Sequence, residues 1–317
     1  MAQEPPQGSA FALLSEKLNR RSAVDKLTHE FLESFELVGR PWLWFAVAMT
    51  WSIGHRSNRW LGLILVWVVV LGCSTVAITG RKQLILISQE QEMQLGLTAF
   101  QQIRAEVPIS QNASATAMLE QVGQRIAAVA ELPNAQWEFV LFEDPQANAF
   151  CLPGGKVGIY TGILPITKNE EGLATVIGHE VAHAVARHGG ERISVGMLQQ
   201  AGAQLAAAAG SYFELDPNTQ VAVGLAYGFG SQVGAVLPHS RLQESEADHL
   251  GLIYMAQAGY PPEEAIGFWQ RFSDFNQQAG GSTPEIFRTH PVDAKRIAQL
   301  REWMPEAQAY YRRATNQ

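Results

Sequence analysis

The 317-residue chain has only two cysteines, Cys73 and Cys151. That excludes a disulfide framework, leaves room for one bridge at most, and rules out a cysteine-type zinc ribbon. Positive charge is scarce as well: 23 Lys and Arg stand against 30 Asp and Glu, for a net charge of −7. No Lys/Arg run or RNA-binding fingerprint offsets this, so nucleic acid is not an expected partner. There is no internal repeat. What remains is a chain 47% hydrophobic, long enough for one large domain or two small ones with a real core. With eight His and 30 acidic residues, any metal must be held by imidazole and carboxylate.

Residues 60–72 read WLGLILVWVVVLG, an uncharged apolar run behind the basic stretch His55-Arg56-Ser57-Asn58-Arg59. Basic flank, short apolar core and small residues are the layout of an export signal. The run ends in Val70-Leu71-Gly72-Cys73, which resembles a bacterial lipobox, with lipid carried on Cys73 after cleavage. Leu71 is less typical there than a small residue. An uncleaved membrane helix is the alternative, since apolar character from Trp60 to Ile78 gives about 19 residues, about enough to span a bilayer. Either reading places residues 80–317 outside the cytoplasm if the basic flank stays inside. Ser74 after the cysteine favours the outer membrane by analogy with lipoprotein sorting. Residues 1–48 are expected to be a misassigned start, with Met49 the true one, or a cytoplasmic extension. The acidic body does not favour adhesion to anionic lipid, so attachment to membrane lipid rests on the anchor.

After an expected linker at 73–86, residues 87–107 and 114–131 read as amphipathic helices. In the second, Met118, Val122, Ile126 and Val129 share one face. Residues 137–142 alternate as a strand, Pro153-Gly154-Gly155 is a turn, and Lys156 to Tyr160 is a second strand. These predict a small antiparallel sheet. A helix over 168–188 is expected, with Thr167 and Glu170 as a capping box and Gly189-Gly190 as its stop. Residues 193–238 are rich in Ala and Gly and read as two helices, about 194–212 and 218–236, packed as a hairpin. Membrane insertion of that hairpin is the alternative. Helices at about 241–258, 262–278 and 292–303 follow, then a polar tail at 306–317.

The chemistry starts at His179-Glu180-Val181-Ala182-His183. Residues four apart share a helix face, so both imidazoles can address one ion. Glu180, one step round, is placed to work on a water beside the metal as general base. A catalytic zinc takes three protein ligands and keeps one position open. Arg241-Leu242-Gln243-Glu244-Ser245-Glu246-Ala247-Asp248 offers Glu244 as the third. From spacing alone Glu246 competes with it. Asp248 can accept an N–H from a ligand histidine and fix its orientation.

These motifs together resemble the HtpX-like and CAAX-prenyl-protease-like zinc peptidases, metallopeptidase family 48, over roughly residues 85–305. The resemblance is nearest to the lipid-anchored periplasmic branch of the LoiP type. It rests on HExxH, on Glu244-Ser245-Glu246-Ala247-Asp248 with Ser240-Arg241 before it, on residues 148–162, and on Thr289-His290-Pro291 with Arg296. It implies a zincin-like α+β fold, mostly helical, with a small antiparallel sheet beside the active-site helix. It implies a zinc metallopeptidase domain at 87–305 and one Zn2+ held by His179, His183 and Glu244. Glu180 and His290 are then catalytic. His290 stabilises the oxyanion or fills the fourth position at rest, while Arg296 pairs with the oxyanion or with Asp248. His188 and His249 are read as structural or exposed. Asn148, Ala149, Phe150, Gly154 and Gly155 form an edge strand and turn to which an extended substrate can add with little regard to sequence. The expected activity is cleavage of unfolded or misassembled cell-envelope polypeptides. A chaperone or scaffold with a closed zinc site, and an intramembrane protease, are the alternatives.

Overall fold

The computed structural model describes residues 73–212, 216–231, 237–278, 290 and 294–316. The expected extension at 1–48, the signal or anchor at 49–72, Thr289 and Pro291 lie outside the described residues. So do parts of the Ala/Gly-rich segment. The chain divides into two units. One holds Cys73–Met197 and Gly230–Gln317. The other includes Leu198–Phe229. Among the described residues no helix is long and apolar enough to cross a membrane.

The segment expected as a linker is a hairpin, with β1 (Cys73–Thr75) antiparallel to β2 (Lys82–Leu84). It forms because Val76, Gln83 and Ile85 are buried, and because Gly80, at φ +70°, closes the turn by donating to the Val76 carbonyl. Helix α1 (Gln89–Glu106) opens on a capping box in which Ser88 and Gln91 satisfy each other's backbone N–H. In α2 (Ala113–Ala127), Leu119, Val122 and Ile126 are fully buried, as the 3.6-residue period requires.

Strands β3 (Glu138–Phe142), β4 (Ala149–Leu152) and β5 (Lys156–Tyr160) form a sheet in the order β3-β5-β4. The sheet is small and sits beside a mostly helical body, as expected, but it is mixed. β4 is antiparallel to β5, whereas β3 runs parallel to it, with Glu138 opposite Lys156 and Phe142 opposite Tyr160. The chain reverses twice, at 143–148 and at 153–155, so the first and third strands point the same way. The third then takes the centre.

A short turn of helix, α3 (Leu164–Thr167), leads into α4 (Glu170–Val185). The cap of α4 is Asn169, whose side chain accepts from the Gly172 N–H; Thr167 instead bonds back to the Leu164 carbonyl. The helix ends at Val185, before Arg187 takes a left-handed φ of +56°. Gly189 and Gly190 do not stop it. They sit in the first turn of α5 (His188–Tyr212), where a Cβ on Gly190 would lie 2.0 Å from a Glu92 carboxylate oxygen. Helices α6 (Pro217–Ser231), α7 (Leu237–Gln257) and α8 (Glu264–Gln278) follow. The last, α9 (Ala294–Thr315), runs through Pro305 into the expected tail, because Met304 and Ala307 continue its buried face.

The core joins α2, β5, α4, α7, α8 and α9 through Leu119, Ile159, Ile177, Leu250, Phe268 and Leu300, all under 2% exposed. At its centre α4 and α7 cross backbone to backbone. A Cβ on Gly178 would lie 2.8 Å from the Gly251 carbonyl oxygen; one on Gly251 would lie 2.7 Å from the His179 nitrogen. Those atoms are main chain and cannot turn aside. Gly251→Ala is therefore expected to destabilise the protein by about 1–3 kcal/mol. Gly196→Ala, whose Cβ meets nothing within 4 Å in α5, should be neutral or stabilising by up to about 1 kcal/mol. Urea unfolding midpoints of the two variants check this, and equal midpoints would contradict the crossing.

Candidate metal centre and active site

The helix crossing decides which side chains meet. On α4, His179 and His183 lie one turn apart, with Nε2 atoms 3.1 Å from each other. From α7, Glu244 reaches both: its oxygens are 3.4 Å from His179 Nε2 and 3.2 Å from His183 Nε2. His290 enters from another segment, with Nδ1 3.1 Å from His179 Nε2 and 2.8 Å from Glu244 Oε2. One donor atom from each of these four residues falls within 4.8 Å of all the others, so the group can hold a metal ion. All four are 9% exposed or less.

Glu180 sits one step round α4, buried, with Oε1 3.4 Å from His290 Nε2. Burial raises its carboxyl above the ordinary range. Burial would also raise Glu244, but the surrounding imidazoles outweigh it and hold that carboxylate well below its usual value. His183 is pushed down by burial. His179 is buried too, yet the nearby carboxylates of Asp248 and Glu244 prevail and lift it to about 9. Two environments on crossing helices thus separate a ligand-like carboxylate on α7 from a base-like one on α4.

Each paired histidine is backed by a further group. His179 Nδ1 lies 2.9 Å from Asp248 Oδ1, a close approach rather than an aligned hydrogen bond. Arg296 donates through Nε to Asp248 Oδ2 and through Nη2 to Asp248 Oδ1 and Glu244 Oε2, both at 3.0 Å. Arg296 thus pairs with Asp248 and Glu244 together. Its guanidinium lies 3.7 Å from the Trp269 ring centroid, and that ring also meets His179 edge-on. Behind His183 stands His188, fully buried, with Nδ1 2.8 Å from His183 Nδ1 and Nε2 2.9 Å from Glu246 Oε2. Residues two apart on a helix point about 200° from each other, so Glu246 faces away from the four-residue group that Glu244 joins. Burial would raise Glu246, but bonds from His188, Thr79 and Arg81 bring it down to about 2.

Sequence reasoning missed Trp269, Arg81 and the part played by His188. For His188 the available signal was its place five residues after His183, just past a helix end. Arg81 and Trp269 carried no signal, being distant in sequence. His249 stacks on Trp303 and pairs with Glu306, away from the group. In the strand expected to receive substrate, β4 pairs only with β5 among the described residues and so lies at the sheet edge, and α4 packs against it. Asn148 immediately precedes it, Ala149 is buried and Phe150 packs with Phe142 and Tyr160. Gly154 and Gly155, at φ +88° and +82°, form the β4–β5 turn against Met93 and Trp137 rather than joining the metal group. Cys151, buried, has its thiol pushed up by burial and by the Glu180 charge.

The model of Peptidase family M48 matches residues 113–304. Among curated proteins, the mitochondrial metalloendopeptidase OMA1 of Schizosaccharomyces pombe is 37% identical over 236 residues, 74% of this chain and 67% of its own. The same-named protein of Saccharomyces cerevisiae is 37% identical over 186 residues, 57% of this chain and 50% of its own. The beta-barrel assembly-enhancing protease of Escherichia coli is 28% identical over 220 residues, 68% of this chain and 44% of its own. This chain therefore spans about half the length of several of its relatives.

Arg296 forms ion pairs with both Glu244 and Asp248. Removing one partner of a buried ion pair strands the other's charge. Arg296→Met is expected to cost about 3–5 kcal/mol, read from urea unfolding with chelator present. A cost below about 1 kcal/mol, the level of an exposed pair, would contradict it.

Proposed function

Because the chain belongs to peptidase family M48 and is a metalloendopeptidase, we propose that it is zinc-dependent and cleaves unfolded or misassembled cell-envelope proteins. The observation that supports this most is the convergence of His179, His183 and Glu244 beside a buried Glu180. Imidazole nitrogens and a carboxylate, buried and aimed at one point, suit zinc. His179, His183 and Glu244 would hold it, and when bound it supplies Lewis acidity towards a water and the scissile carbonyl.

The chain's own groups do the rest. Glu180 accepts the proton of the attacking water and returns it to the leaving amine; its raised pKa suits both steps. Asp248 and Arg296 orient His179. His290 Nδ1 lies among the donor atoms, so His290 would help to hold the metal at rest. The edge of β4, unpaired among the described residues, receives an extended chain through backbone hydrogen bonds, which favours unfolded substrates of varied sequence.

The decisive assay is casein cleavage by wild type, Glu180→Gln and His290→Ala, with and without chelator. Glu180→Gln should lose on the order of 10²–10⁴-fold in rate. His290→Ala, with zinc supplied, should cleave faster than wild type; slower cleavage would assign His290 to the oxyanion instead. Equal, chelator-insensitive cleavage by wild type and Glu180→Gln would leave a chaperone or scaffold with a closed site as the better reading.

The envelope location rests on the apolar run ending at Gly72-Cys73 and on the likeness to the bacterial beta-barrel assembly-enhancing protease. The likeness to mitochondrial proteins points elsewhere. Cys73→Ser is expected to release the protein from bacterial membrane fractions. Unchanged fractionation would rule out a lipid tether on that cysteine.

A further inference from the structure

His183 and His188 lie on different helices, yet their Nδ1 atoms are 2.8 Å apart. Both residues are buried. One Nδ1 must donate and the other accept, so the pair has a direction. If His183 turns its Nε2 lone pair to the metal, its proton is on Nδ1. His188 Nδ1 is then the acceptor, its proton sits on Nε2, and that N–H donates to Glu246 Oε2 at 2.9 Å. The carboxylate is held in turn by Thr79 Oγ1 and by Arg81 Nε. Arg81 is fixed from its other side by Glu191, with Nη1 and Nη2 each 2.8 Å from a carboxylate oxygen. Gln243 Nε2 donates to the same Glu191 at 2.7 Å.

With both histidines neutral, Glu246 can only accept from His188 Nε2, so His188 Nδ1 accepts from His183 Nδ1, and that arrangement leaves His183 Nε2 unprotonated. We propose that His188, Glu246 and Arg81 are positioning residues that fix the tautomer and ring orientation of His183, and that the N-terminal hairpin, by supplying Arg81, completes the metal centre. The hairpin therefore belongs to the catalytic apparatus although no part of it touches the ion. This deepens the zinc reading and rests on it.

Groups behind a metal-bound histidine typically govern affinity by 10–100-fold, and that is the range expected here. Zinc affinity of the full-length chain is measured by chelator competition, which needs no substrate. His188→Phe should weaken binding by about 10–100-fold, and Arg81→Met by a smaller factor. The double variant should lose little more than His188→Phe alone, because both act along one route. Full additivity of the two losses, or an affinity within twofold of wild type for His188→Phe, overturns the proposal.

Histidine nitrogen NMR on the zinc-loaded wild type tests the same point without any variant. The expected spectrum has a proton on His183 Nδ1 and on His188 Nε2, and none on His188 Nδ1. A proton on His188 Nδ1 overturns the relay. If wild type binds no zinc at all, the metal-centre reading itself falls, and this inference with it.

Discussion

Two glycines set the distance on which the site depends. Gly178 and Gly251 let α4 and α7 approach to main-chain contact, and their neighbours carry the chemistry. His179 follows Gly178 directly, while Asp248 and Glu244 lie one and two turns before Gly251. Side chains as short as Glu and His can close a four-membered group only when their helices are this near. A side chain at either glycine would wedge the helices apart, and an ångström at the crossing is enough to break hydrogen-bond geometry at the ligands. The apolar packing of Leu173, Ile177 and Leu250 in the core supplies the pressure that holds it shut.

Such a site gathers charge where the protein is driest. Glu180, Glu244, Glu246 and Asp248 are all buried. The structure manages them in separate ways. Arg296 neutralises Asp248 and shares Glu244, with its guanidinium face covered by Trp269. Arg81 and Thr79 serve Glu246. Glu180 has the His290 imidazole beside it, and burial outweighs the nearby positive charges to favour its neutral form. The carboxylates that stay charged are paired, and burial eases protonation of the one proposed as the base.

Much of the fold was legible because amphipathic periods are strong signals. α1, α2, β3, β5, α7 and α8 lie near the positions their patterns predict. The failures have local causes. Asn169 outcompetes Thr167 as cap because Thr167 still belongs to α3. Gly189 and Gly190 look like a stop, but Gly190 is needed to admit Glu92. The parallel pairing of β3 depends on a second chain reversal, at 143–148, which the strand pattern does not encode. At the site, i,i+4 spacing exposed His179 with His183 and Glu244 with Asp248. Partners contributed from elsewhere, Arg81 and Trp269 above all, become visible only when the chain is folded.

The hairpin also has a mechanical consequence. Cys73 is already paired with Leu84, so no slack separates that residue from the folded body. Its open end faces the N-terminal side, and the turn that leads to Arg81 lies beyond the last pair, Thr75 with Lys82. Traction on the chain at Cys73 would peel these pairs one at a time, like a zipper, and meet the Arg81 ion pairs last. The grip on Glu191 and Glu246 thus acts as a backstop against tension from the N-terminal side.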